Sequence, residues 1–202
     1  MIKKLLSFNV MAAVLCGSAV YAQEATQESQ PAAEAPQTEA GSNLDLGESG
    51  PRVGEQYVKE EVGDWSVTCI NSGTDNDPCA LRQILLGPQR QPIAEITIEK
   101  LPETAPAVAG ATVIVPLEIL LQAQLAFSID GAPGKRYNYH TCTPVGCIAQ
   151  LGFTQGDVDA MKAGSKAQMS MVSVLAPTQL VQLEMSLSGF TAGFDGLSVN
   201  QN

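Results

Sequence analysis

Histidine and tryptophan each occur once in these 202 residues, as His140 and Trp65. Nucleophilic catalysis needs a base beside its nucleophile, and His140 is the only imidazole on offer. No Gly-x-Ser-x-Gly elbow is present; Ser186-Leu187-Ser188-Gly189-Phe190 falls short of it. The glycines are dispersed, and none sits in a strand-to-helix phosphate fingerprint. Gly131-Ala132-Pro133-Gly134-Lys135-Arg136 lacks the spacing, and Lys135 and Arg136 read as part of a solubilising turn. Basic residues are also scarce, 11 Lys and Arg against 21 Asp and Glu. That balance argues against nucleic acid and anionic membrane surfaces as partners, since both require a basic patch. Apart from Leu5–Val20 there is no long apolar run, and that one is too short and interrupted for a confident membrane span.

What is present begins with a processing signal. Lys3 and Lys4 precede the apolar run, and Val20-Tyr21-Ala22 supplies small residues for cleavage after Ala22. Residues 1–22 are therefore expected to be a signal peptide, with Cys16 as a passenger. Removing them leaves nine basic against 21 acidic residues, a formal charge of −12. Residues 23–59 are expected to form a disordered, acidic, Pro/Ala-rich tail. Up to residue 54 its only bulky aliphatics are Leu44, Leu46 and Val53, too little apolar area to offset ordering entropy.

From residue 60 to 202 one domain is expected. Trp65, Val67 and Cys69 alternate with Ser66 and Thr68, the period of a half-buried strand. A loop of turn formers, Asn71 to Pro78, leads to Cys79 and the apolar run Ala80 to Leu86. Ala94, Ile96 and Ile98 alternate with polar residues, as do Leu125, Phe127 and Ile129 and, later, Val181, Leu183, Met185 and Leu187. Pro116 suits the end of the strand Thr112–Val115. Thr154 and Asp157 match a capping box opening a helix of about two turns that stops at Gly164. Roughly eight to ten strands with regularly spaced turns indicate an all-β sandwich or barrel with one short helix.

Four cysteines remain after cleavage: Cys69, Cys79, Cys142 and Cys147. An even count in an exported chain reads as two disulfides, and Cys69–Cys79 with Cys142–Cys147 is preferred because each pair flanks turn residues. A crossed pairing stays open from sequence alone. Trp65 reads as a core plug, and Phe190 as core or edge packing. His140, Cys142 and Cys147 have soft-metal chemistry, but paired thiols do not ligate zinc, so no metal is expected. The acids Asp64, Glu95, Glu99, Glu118, Asp130 and Glu184 sit on polar positions of several strands, as on a solvated sheet face. Neither a catalytic set nor a cofactor is expected.

Several motifs recur in a recognisable order. They are Gly-Asp-Trp-x-Val-x-Cys from Gly63, Cys-x-Leu-x-Gln from Cys79, and Val115-Pro116-Leu117-Glu118-Ile119-Leu120-Leu121. Then come the Cys-x-x-x-Gly-Cys hairpin, Cys142 to Cys147, and Ser-Leu-x-Gly-Phe, Ser186 to Phe190. In this order they resemble the invasion-associated locus B family of exported bacterial proteins over about residues 60–197. The resemblance implies an immunoglobulin-like β-sandwich and export to the cell envelope: periplasm, outer membrane or outside. It also implies, for some members, a part in host-cell invasion. The expectation is a non-enzymatic module acting by contact with another protein. A periplasmic chaperone-like or inhibitor module is the alternative, and a carboxylate-based hydrolase a more distant one.

Overall fold

A computed structural model describes residues 47–199. The expected signal peptide, 1–22, and residues 23–46 of the expected tail lie outside the described residues. Alternating residues build two antiparallel sheets. The longer sheet opens as a meander: β1 (Gln56–Val62), β2 (Trp65–Ile70), β3 (Cys79–Leu86), β4 (Pro92–Lys100) and β5 (Ala109–Val115). The chain then crosses to the second sheet for β6 (Leu125–Ile129) and β7 (Lys135–Tyr137). It returns for β8 (Tyr139–Thr143) and β9 (Gly146–Phe153) and crosses again for β10 (Lys166–Val172) and β11 (Leu180–Ser186). The resulting orders are β1-β2-β3-β4-β5-β9-β8 and β11-β10-β6-β7. The fold is an all-β sandwich.

The core lies between the sheets. Every second residue of β3, β4 and β5 turns inward: Leu81, Gln83 and Leu85, then Ala94, Ile96 and Ile98, then Ala111, Val113 and Val115. Phe127, Met169, Leu183 and Met185 face them from the second sheet. Phe127 and Phe153 meet across the core with ring centroids 5.3 Å apart. Burying each such side chain contributes about 1.5–3 kcal/mol. Pro116 ends β5, because it has no N–H for the ladder.

Helix α1 (Gln155–Ala163) starts as the sequence indicates. The Asp157 N–H donates to Thr154 Oγ1 at 3.3 Å, and the Thr154 N–H donates to Asp157 Oδ2 at 2.8 Å. Val158 and Met161 are its buried residues. Two features depart from the sequence reading. The run Phe190–Gly196, in which only Phe190 is singled out by the sequence as core or edge packing, is a second helix, α2. With two glycines in seven residues it has little intrinsic propensity; packing of Phe190 and Phe194 holds it. Strand β1 also begins at Gln56, ahead of the boundary expected at 60. Its residues are mostly exposed, so the alternation that would mark it in sequence is weak.

Candidate functional surfaces

Three of the recurring motifs converge on one corner of the sandwich. Gly63, with φ of 63°, turns the chain from β1 into β2 beneath Ser188 and Gly189. The Asp64 N–H donates to the Ser188 carbonyl at 3.0 Å, and Ser186 Oγ donates to Asp64 Oδ2 at 2.5 Å. Trp65 Nε1 donates to the Ser186 carbonyl at 3.0 Å. Gln83, 8 % exposed, donates from Nε2 to the carbonyls of Asp64 and Ser186 and accepts the Ser186 N–H. Phe190 packs on Trp65 with centroids 5.6 Å apart, and both are fully buried. Lys100 Nζ donates to the carbonyls of Asp195 and Leu197, satisfying the end of α2. This corner ties the two sheets together. Its polar groups are spent on one another, so the motif residues act architecturally.

The cysteines pair locally, Cys69 with Cys79 and Cys142 with Cys147. Each disulfide joins residues directly opposite in a hairpin ladder. His140 is exposed on β8, and with both thiols beside it oxidised it has no thiolate to share a metal with.

The candidate carboxylates lie on several different elements. Glu95 pairs with Arg82 at 2.6 Å and Glu184 with Lys166 at 2.8 Å, each on a sheet surface. Asp130 accepts the backbone N–H groups of Ser165 and Lys166. Asp64 belongs to the corner, Glu99 to β4 and Glu118 to the exposed stretch after β5. Among the described residues no group of three His, Cys, Asp or Glu side chains is placed to hold a metal ion.

A cleft of about 340 Å³ lies between α1 and the β6–β7 turn, walled by Phe127, Ile129, Pro133 and Ala160, with Lys135 and Asp157 at its edge. Lys135 is 2.6 Å from Asp157, which accounts for one half of the adjacent basic pair. Burial works to raise the Asp157 pKa. Lys135 and the Thr154 hydroxyl and amide outweigh it and hold the carboxyl below its usual range.

The outer face of the long sheet carries a feature the sequence reading missed. Ile84, Glu95, Ile114 and Ile148 are successive partners across β3, β4, β5 and β9. Ile84 is 44 % exposed, and Leu86 and Val145 beside this row are also exposed. Ile84, Glu95, Ile114 and Val145, with Ile93 and Pro116, border a groove of about 210 Å³. Toward the other end the same face is polar, through Arg82, Thr97, Thr112 and Gln150. The available signal was the unalternated runs Ile84-Leu85-Leu86 and Val113-Ile114-Val115, which place apolar residues on both faces of one sheet. Among the described residues no helix is long and apolar enough to cross a membrane.

Comparison with known proteins agrees with this architecture. The family model for the invasion associated locus B (IalB) protein matches residues 65–198. An invasion protein B homolog of Brucella abortus is 28 % identical over 142 residues, 70 % of this chain and 80 % of that one. Invasion protein B of Bartonella bacilliformis is 27 % identical over 194 residues, 94 % of each chain. The crystal structure of invasion associated protein B from Bartonella henselae superposes with a TM-score of 0.56 at 23 % identity, covering 66 % of this chain and 91 % of that one. The motifs, the matched domain and the shared fold lead to one assignment: the chain belongs to the invasion associated locus B family.

Proposed function

We propose that this is an exported, non-enzymatic envelope protein that acts by contact with another protein through the outer face of its long sheet, in a process associated with host-cell invasion. The observation that carries the reading is the apolar row Ile84, Ile114 and Ile148 with exposed Leu86 and Val145. Glu95 interrupts the row and Ile114 and Ile148 are half-buried, but apolar side chains gathered on a solvent-facing sheet surface with polar neighbours are a usual mark of a protein interface. Two disulfides support an oxidising compartment, and the apolar run after Lys3 and Lys4 supports export. The relatives' names support the link to invasion.

Two experiments test this. Protease is added to intact cells, with a known periplasmic protein as control. Digestion without lysis places the domain on the surface; protection until the outer membrane is opened restricts partners to the periplasm; and a cytoplasmic location defeats the proposal. Then Ile114→Lys is compared with wild type in chemical crosslinking on cells and in an invasion assay. The variant should keep its melting temperature within a few degrees and lose the crosslinked species. Crosslinking and invasion unchanged by a folded Ile114→Lys protein would remove this face as the contact site.

A further inference from the structure

The two disulfides hold equivalent places in their hairpins and opposite places with respect to solvent. Cys69 is 0 % exposed and Cys79 9 %, between strands inside the long sheet. Cys147 is 1 % exposed, but Cys142 is exposed on β8, the edge strand of that sheet. Strand β8 has five residues, a ladder partner on one side only, and an irregular register between Tyr139 and Thr141. The adjoining turn carries Val145, 77 % exposed. In a chain of strong negative charge, the hairpin stretch from Asn138 to Cys147 contains no Asp or Glu, and Lys135 and Arg136 precede it. An incoming thiolate therefore meets no carboxylate from the hairpin stretch itself.

We propose that Cys142–Cys147 is a thiol-exchange site, opened in the folded protein by a dithiol reductant that attacks Cys142 Sγ, whereas Cys69–Cys79 is purely structural. Exchange depends on which sulfur is accessible as well as on thiolate character. The reductant's thiolate forms a bond to Cys142 Sγ as the Cys142–Cys147 bond breaks. The electron pair goes to Cys147 Sγ, which takes a proton from water. The reductant's second thiolate then attacks its own sulfur in the mixed disulfide. Cys142 leaves as a thiolate and is protonated in turn. The dithiol ends as a disulfide, and two electrons and two protons have passed to the protein. The ladder pairs Tyr139–Ala149 and Thr141–Ile148 remain to hold β8, so reduction loosens the tip beside Val145 without opening the core.

The test uses the intact protein in native buffer with graded dithiothreitol, quenched with iodoacetamide and mapped by mass spectrometry. Alkylation at Cys142 and Cys147 should precede that at Cys69 and Cys79 by at least about tenfold in rate, with the near-ultraviolet signal of buried Trp65 retained. Equal rates, the reverse order, or labelling only as the Trp65 signal collapses would overturn the proposal. The direction of attack is read with reduced glutathione as a monothiol. A glutathione adduct on Cys142 supports it, and one on Cys147 refutes it. As an independent check, the free thiol of Cys147→Ser should react rapidly with an aromatic disulfide reagent while that of Cys142→Ser reacts slowly; matching rates would count against the asymmetry.

Discussion

Gln83 holds Ser186 by both of its backbone groups: its carbonyl oxygen accepts the Ser186 N–H at 2.9 Å, and its amide donates to the Ser186 carbonyl at 3.1 Å. Ser186 closes β11, an edge strand that has β10 on its other side, with Ser186 opposite Lys166. A side chain from the opposite sheet thus does the work of a missing strand. The same amide reaches the Asp64 carbonyl at 3.0 Å, so one buried residue joins the β1–β2 turn, β3 and β11.

Gln83→Leu removes these bonds and leaves the Ser186 N–H without its partner. Loss of about 2–4 kcal/mol is expected, since each buried group stripped of its partner costs roughly 1–3 kcal/mol. Urea unfolding followed through Trp65 measures it. A loss under about 1 kcal/mol would show that water replaces Gln83 easily.

Glycine is required at position 189 for two reasons at once. Its φ is 88°, and a Cβ there would stand 1.9 Å from the Val62 carbonyl oxygen. Gly131 shares the left-handed geometry, with φ of 78°, but has nothing within 4 Å of a Cβ. Gly189→Ala should therefore prevent recovery of folded protein, whereas Gly131→Ala should cost only about 1–2 kcal/mol. The yield of folded protein, with a thermal melt of whatever folds, separates steric conflict from backbone preference, and recovery of both variants with similar melts would contradict the corner geometry.

Tyr139 buries a hydroxyl with no hydrogen-bond partner among the described residues, and burial pushes its pKa up to about 12. The folded state keeps this proton longer than the unfolded chain, whose tyrosines titrate near 10. The associated stability is present below pH 10 and lost as the pH rises toward 12. Tyr139→Phe should be as stable as wild type or more so at neutral pH, and should lose less stability between pH 10 and 12. A larger alkaline loss in the variant would mean that the hydroxyl is not disfavoured in its ionised form.

The α1 cap predicts the opposite pH sign. The Asp157 pKa is held below its usual value, so its contribution is present above pH 4 and fades as acid protonates it in the folded state. Thr154→Ala should cost about 1 kcal/mol at neutral pH. Asp157→Asn should destabilise at pH 7 and converge with wild type at lower pH. A difference that grows on acidification would refute the assigned roles of Lys135 and Thr154.

The helix start was legible in the residues themselves, and the two local disulfides were the preferred pairing there, with a crossed one left open. The polar loop from Asn71 to Pro78 brings Cys69 opposite Cys79, and Thr154 with Asp157 closes a cap within one turn. On the chain-entropy account, each short disulfide loop contributes about 2–3 kcal/mol. The alternation of Ile96 and Ile98, or Leu183 and Met185, likewise announces strands with an inner face, because a strand's period is a local property.

Tertiary structure alone decided the rest. Helix α2 forms from a glycine-containing segment because Phe190 finds Trp65, which precedes it by more than a hundred residues. Gln83 was visible in a motif, but its role appeared only when β11 lay beside it. The row Ile84, Glu95, Ile114 and Ile148 required the strand order that lines those residues up across the sheet. Local period and turn chemistry act over a few residues and are written along the chain. Sheet order, edge closure and surface patches arise from pairings between distant segments, whose favourable energy exists only once the sandwich has closed.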